Sequence, residues 1–130
     1  MDEIKQGIRY IFQTRNKLTL CVSGAAHAAI EAVMCNLLEP GEVVLIANNG
    51  LWGERAVAMA SRYGASVRQI KAPAGDNFTL AAIEEGLVKY KPALLFIVQG
   101  ESSTGCYQPV EGIGDLCHRY NCLLAVDTVA

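Results

Sequence analysis

Four short stretches of this sequence carry residues that could do chemistry: Ser23-Gly24-Ala25-Ala26-His27, Trp52 behind Asn48-Asn49-Gly50-Leu51, Gly100-Glu101-Ser102-Ser103-Thr104-Gly105, and Asp127 at the end of Leu123-Leu124-Ala125-Val126. A turn of small residues opening a helix leaves backbone N–H groups free, and these attract an anion such as phosphate. The same small residues also serve close packing of a helix on a sheet. The turn is neither a dinucleotide fingerprint, since Ala26 stands where the second glycine belongs, nor a P-loop, since no G-K-[ST] occurs. Trp52 is the only tryptophan; its flat π-face can stack on an aromatic ligand or pack as an ordinary core residue. Asp127 follows four apolar residues, so its carboxylate needs a cationic or hydrogen-bonding partner. That partner could be a pyridinium nitrogen, which an ionised Asp keeps protonated so that the ring withdraws electrons. It could equally be the start of a following helix or an internal arginine. Ser102, Ser103 and Thr104 offer hydroxyls to a ligand or simply form a polar turn. His27 either contacts a bound anion or hydrogen-bonds within its own turn. His118, beside Arg119 near a helix end, suits a solvated position where a cation meets the helix dipole.

The elements that must position these residues alternate along the chain. Ile4, Ile8, Ile11 and Phe12 share one helical face. Leu18 to Val22 reads as a buried strand, broken by Ser23-Gly24. Ile30, Val33, Met34, Leu37 and Leu38 form a helical stripe stopped at Pro40-Gly41. A second strand over Val43 to Ala47 leads through a loop holding Trp52 to a helix from about Gly53 to Tyr63, which Gly64 terminates. A third strand spans Ser66 to Ile70, and Thr79 is placed to cap a helix bearing Leu80, Ile83 and Leu87. Lys91-Pro92 marks its exit. Leu94 to Val98 is a fourth strand, followed by the polar loop 100–105; a helix bearing Ile113, Leu116, Cys117 and Tyr120 precedes the fifth strand, Leu123 to Asp127. Apolar strands separated by single amphipathic helices predict an α/β fold: three layers around a doubly wound, mostly parallel sheet. Ligands in such sheets bind outside the carboxyl ends of the strands, where all four chemical stretches fall.

Composition narrows the function. With 130 residues and 52% apolar content the chain suffices for one core. A net charge of −2 with interspersed signs provides no footprint for nucleic acid or an anionic membrane. No apolar run approaches the roughly 20 residues of a membrane helix, and Met1-Asp2-Glu3 opens neither a secretory signal nor a transit peptide. Five cysteines (Cys21, Cys35, Cys106, Cys117 and Cys122) without a Cys-x-x-Cys pair point to reduced, buried thiols and an intracellular setting. With His27 and His118 as the only histidines, neither at ligand spacing, no metal site is expected.

In this order the pieces resemble the alanine–glyoxylate and serine–pyruvate aminotransferase family of fold-type-I pyridoxal-phosphate enzymes. The resemblance runs through Tyr10-Ile11-Phe12-Gln13-Thr14-Arg15-Asn16, Gly50-Leu51-Trp52-Gly53-Glu54-Arg55-Ala56-Val57, the 100–105 loop, and Leu116-Cys117-His118-Arg119-Tyr120 through Val126-Asp127-Thr128-Val129-Ala130. It implies pyridoxal 5'-phosphate as cofactor. Asp127 would pair with the pyridine nitrogen and Trp52 would stack on the ring. Ser102 would hydrogen-bond the phenolic oxygen, and the backbone at Ala25, Ala26 and His27 would hold the phosphate. The family commonly has Ser-Gly-Ser-Gly-His where this chain has Ser23-Gly24-Ala25-Ala26-His27, which removes one hydroxyl from the phosphate's contacts and implies weaker anchoring.

The resemblance further implies that residues 1–130 are a partial cofactor-binding large domain, without the N-terminal arm, the later strands that bring the Schiff-base lysine, or the small C-terminal domain. None of Lys5, Lys17, Lys71, Lys89 and Lys91 falls at a strand-end site, so the chain by itself is expected to be inactive. It is also expected to be marginally stable, because Leu18 to Val22 would lose its sheet neighbours. The parent protein is expected to be a homodimer that moves an amino group from alanine or serine to glyoxylate or pyruvate, in a peroxisome or mitochondrion. A kynurenine-type transaminase fits the same resemblance, and a non-catalytic truncated dimerisation partner is the reading from another class. A hydrolase built on Ser102 fails, since Gly100-x-Ser102-x-Thr104 is not G-x-S-x-G, Pro109 delays the following helix, and no histidine follows Asp127.

Overall fold

Four of the five apolar runs pair into one parallel sheet: β1 (Val43–Asn48), β2 (Ser66–Lys71), β3 (Leu94–Val98) and β6 (Leu123–Asp127), in the order β2-β1-β3-β6. The computed structural model describes residues 2–130. The two central strands read as unbroken apolar runs because both of their faces are covered. Side chains alternate across the sheet, so Val44, Ile46, Leu94, Phe96 and Val98 meet one layer, while Leu45, Ala47, Leu95 and Ile97 meet the other. The first layer consists of α2 (Ala26–Leu37) and α3 (Leu51–Arg62), contributing Ile30, Met34, Ala56, Met59 and Ala60. The second consists of α4 (Leu80–Tyr90) and α5 (Ile113–Arg119), contributing Ile83, Leu87, Ile113, Leu116 and Cys117. The three-layer, doubly wound fold read from the sequence is therefore the fold observed.

Local chemistry sets the boundaries. The Thr79 hydroxyl accepts the Ala82 N–H at 3.1 Å and starts α4, and Lys91 ends it in a left-handed conformation (φ 47°). After α3 the chain turns at Gly64 with φ +80°, a value glycine adopts without a Cβ clash. Along the sheet the registers Asn48↔Lys71 and Val98↔Asp127 bring the strands' carboxyl ends to a common edge.

Several expectations need correction. Leu18 to Val22 forms no strand: it pairs with nothing in the sheet, and Leu18 is 82% exposed, Leu20 54%. An apolar extended run becomes a strand only when a neighbour completes its hydrogen bonds, and β2-β1-β3-β6 provides none here. The segment is instead tied to α1 (Asp2–Ile11) through the Arg9 guanidinium, which donates to the carbonyls of Asn16 at 3.0 Å and Lys17 at 2.7 Å. The helix α1 forms as its periodicity predicts, yet buries no residue. The 100–105 stretch is more ordered than a loop: β4 (Gly100–Glu101) pairs antiparallel with β5 (Cys106–Tyr107) around a tight tip. Of the cysteines only Cys106, Cys117 and Cys122 are buried; Cys21 lies on the unpaired segment and Cys35 on the outer face of α2, both exposed. Hydrogen bonding with Cys117 and burial push the Cys122 thiol well above its ordinary range, which keeps it an unreactive core group.

Candidate functional site

The chain leaves β1 outward to β2 on one side and returns through α4 to β3 on the other, so the order reverses between β1 and β3. The crevice beyond the carboxyl ends of those two strands is where open α/β sheets bind ligands. Here it is lined by Ala26, Ile30, Trp52, Gly100, Ser102 and Asp127, together with Val129 and Ala130. Four residues singled out from the sequence thus converge from four separate elements.

Trp52 does not sit in a loop, as its strand-end position implied, but in the first turn of α3. Its indole Nε1–H donates to Ser102 Oγ at 2.8 Å. The His27 ring meets the indole edge-on, with centroids 5.4 Å apart and planes 68° apart. His27 therefore reaches the site through Trp52 and is not among the residues lining the crevice. Ala25 is the N-cap of α2, with extended dihedrals and no side-chain acceptor for the first-turn N–H groups; Ala26 follows it at the crevice wall. That start of α2 accordingly keeps its donors available to an anion.

Asp127 is partly buried at the end of β6. Its Oδ1 accepts the Val129 N–H at 3.2 Å, a bond within its own turn. The internal-arginine alternative for this carboxylate is not realised among the described residues, where the one ion pair is Arg119–Glu84 at the surface. Asp127 keeps acceptor capacity that nothing else in the site uses. None of the five lysines is among the residues lining the crevice; Lys71 borders a neighbouring shallow concavity with Asn48, Asn49, Gly50 and Glu54.

The sequence reading missed Glu101, which it treated only as part of a polar stretch. Its side chain is 1% exposed. Oε2 accepts the Trp52 N–H at 3.0 Å, and Oε1 accepts from Ser103 twice, from N–H at 3.1 Å and from the hydroxyl at 2.5 Å. Ser103 Oγ in turn accepts the Leu51 N–H at 3.0 Å. One signal was available: the N-cap of α3 is Gly50, which has no side chain to offer, so another segment had to supply acceptors. Which segment would do so was not written locally.

A family model of the class-V aminotransferases matches residues 1–130. The chain is 58% identical over its full 130 residues to alanine–glyoxylate aminotransferase of Rattus norvegicus, covering 31% of that protein. It is 36% identical over 130 residues to (S)-ureidoglycine–glyoxylate transaminase of Bacillus subtilis, again covering 31%. Among solved structures, alanine–glyoxylate aminotransferase from Nostoc sp. superposes with a TM-score of 0.97 at 50% identity, over 99% of this chain and 34% of that one. The chain thus spans about a third of the length of the relatives it matches. With the matched region running from the first residue to the last, this chain belongs to the class-V aminotransferase family.

Proposed function

We propose that the protein carrying this chain transfers the amino group of alanine or serine to glyoxylate or pyruvate with pyridoxal 5'-phosphate, and that residues 1–130 supply much of the cofactor's bed. The observation that carries this reading is the convergence of Trp52, Ser102, Asp127 and Ala26 on one crevice at the switch point of the sheet. The donor set fits the group. Asp127 is a partly buried carboxylate with no cation beside it among the described residues, as a protonated ring nitrogen requires of its partner. The start of α2 has no side-chain cap and would receive the phosphate on the N–H groups around Ala25, Ala26 and His27. Trp52 would cover one face of the ring, with the His27 ring packed against the indole in a T-shaped pair. Ser102 Oγ is already an acceptor for the indole N–H; its own proton is therefore free to go to the phenolic oxygen. When bound, the cofactor supplies the electron-withdrawing ring on which amino groups are exchanged.

The comparisons support amino transfer through the relatives' names, which pair alanine or (S)-ureidoglycine with glyoxylate. The family resemblance supports a homodimer in a peroxisome or mitochondrion for the complete protein. Because no lysine lines the crevice, the 130-residue chain alone is proposed to be inactive. The test is to incubate the complete protein with alanine, glyoxylate and pyridoxal 5'-phosphate and follow pyruvate and glycine. Cofactor-dependent formation of both is expected. Tight cofactor binding without transfer from either alanine or serine would defeat the proposal.

A gain-of-contact variant examines the phosphate assignment. Ala25→Ser restores a hydroxyl at an N-cap with suitable dihedrals (φ −69°, ψ 163°). One added hydrogen bond to a charged group contributes about 1.5 kcal/mol, so cofactor affinity should rise about tenfold in equilibrium dialysis. An unchanged affinity would remove Ala25 from the phosphate's surroundings.

A further inference from the structure

We infer that Glu101 is the positioning residue for Trp52: its buried carboxylate supplies the cap that α3 lacks and so fixes the indole plane before any ligand arrives. Resting on the ring-stacking role proposed for Trp52, the inference extends that role to a residue that never touches the ring.

The helix α3 begins at Leu51 behind a glycine, with its first N–H groups unserved from within its own chain segment. Two of them are met by the β4–β5 hairpin: Leu51 N–H by Ser103 Oγ and Trp52 N–H by Glu101 Oε2. Every polar contact of the Glu101 side chain is with a donor, and no cation lies within ion-pair distance of it among the described residues. A buried carboxylate in that setting is held by hydrogen bonds and by the positive end of the helix. The hairpin is itself rigid at this point, because the Glu101 carbonyl accepts the N–H groups of Thr104 at 3.1 Å and Gly105 at 2.9 Å. The fit is mutual: a Cβ on Gly50 would lie 2.5 Å from Glu101 Cδ, so only glycine before α3 leaves the carboxylate its place. Trp52 is consequently gripped at two points by consecutive residues, its backbone by Glu101 and its indole by Ser102. One anchor on the backbone and one on the indole of the same residue together define an orientation, whereas either alone leaves a rotation open.

The test uses the complete protein and compares Glu101→Gln and Glu101→Ala with Ser103→Ala. The near-ultraviolet dichroism of Trp52, isolated by subtracting the Trp52→Phe spectrum, is read without cofactor. Pyridoxal 5'-phosphate affinity and far-ultraviolet dichroism are read alongside. Gln keeps the shape but turns one acceptor into a donor facing an N–H. The indole band should fall by about half and cofactor affinity about tenfold, with the far-ultraviolet spectrum unchanged. Ala should abolish the band and lower affinity about a hundredfold, and Ser103→Ala should fall between wild type and Gln. If Ala prevents folding, the Gln variant decides. A wild-type indole band in the Gln variant overturns the inference, as does a lowered melting temperature with band and affinity intact, which would mark a merely structural residue. Failure of the wild-type protein to bind the cofactor would defeat the proposed function instead, and the band measured without cofactor would still decide the role of Glu101.

Discussion

Replacing Asp127 with Asn is expected to slow amino transfer by about a thousandfold while leaving the fold intact. The two side chains are nearly the same shape, and the turn bond from Val129 N–H to Oδ1 can be kept by the amide oxygen. What disappears is the negative charge. A partly buried carboxylate facing a cationic ring nitrogen is the kind of pair whose breakage costs about 3–5 kcal/mol. At about 1.4 kcal/mol per decade this corresponds to rates lowered by about 10² to 10⁴. Affinity should change less than rate, because the proposed phosphate contacts at α2 and the proposed Trp52 stacking are untouched by the substitution. Steady-state kinetics and cofactor content measured on the same preparation separate the two. A rate within about fivefold of wild type would mean that Asp127 does not pair with the ring.

The second large effect is expected at Gly53, where α3 lies directly on β1. A Cβ at this position would stand 2.7 Å from Asn48 Oδ1 and 2.8 Å from Asn48 Cα. The backbone atom cannot swing aside, so Gly53→Ala must push the start of the helix off the strand. Two terms oppose each other. Alanine gains about 1 kcal/mol of helix propensity over glycine, while overpacking a tight contact costs about 1–3 kcal/mol. A net destabilisation of about 1 kcal/mol is expected, readable as a lower denaturation midpoint. The functional loss should be larger than the stability loss, because the residue that moves with the helix start is Trp52. A displacement of about 1 Å in a positioning group commonly costs about a hundredfold in rate. A Gly53→Ala protein with normal rate and lowered midpoint would show that the start of α3 tolerates displacement.

Both arguments depend on juxtapositions that the chain makes only when folded. Glu101 is the clearest case. In sequence it is one polar residue among Ser102, Ser103 and Thr104, with nothing to distinguish it from a solvated turn; in the structure it is almost inaccessible and accepts a hydrogen bond from a residue 49 positions earlier. His27 is similar: its nearest aromatic partner, Trp52, belongs to a different helix. Conversely, Leu18 to Val22 looked as good a strand as Leu94 to Val98. The difference lies entirely in whether a neighbour pairs with it.

The sequence by itself determined what depends on spacing and on a residue's own conformational preference: four of the strands, all five helices, the Thr79 cap, the turn at Gly64 and the α/β class. Amphipathic periodicity and capping act over a few residues, so they can be read along the chain. It also placed Asp127, Trp52 and Ser102 at strand ends, since a parallel sheet sends every such end to the same edge; Ala26 reaches the crevice at the start of α2, without a paired strand before it. Only the tertiary structure decided which side chain meets which. Hydrogen bonding and burial operate across space, and the cap that Gly50 cannot provide is supplied by a hairpin 49 to 52 positions further along the chain.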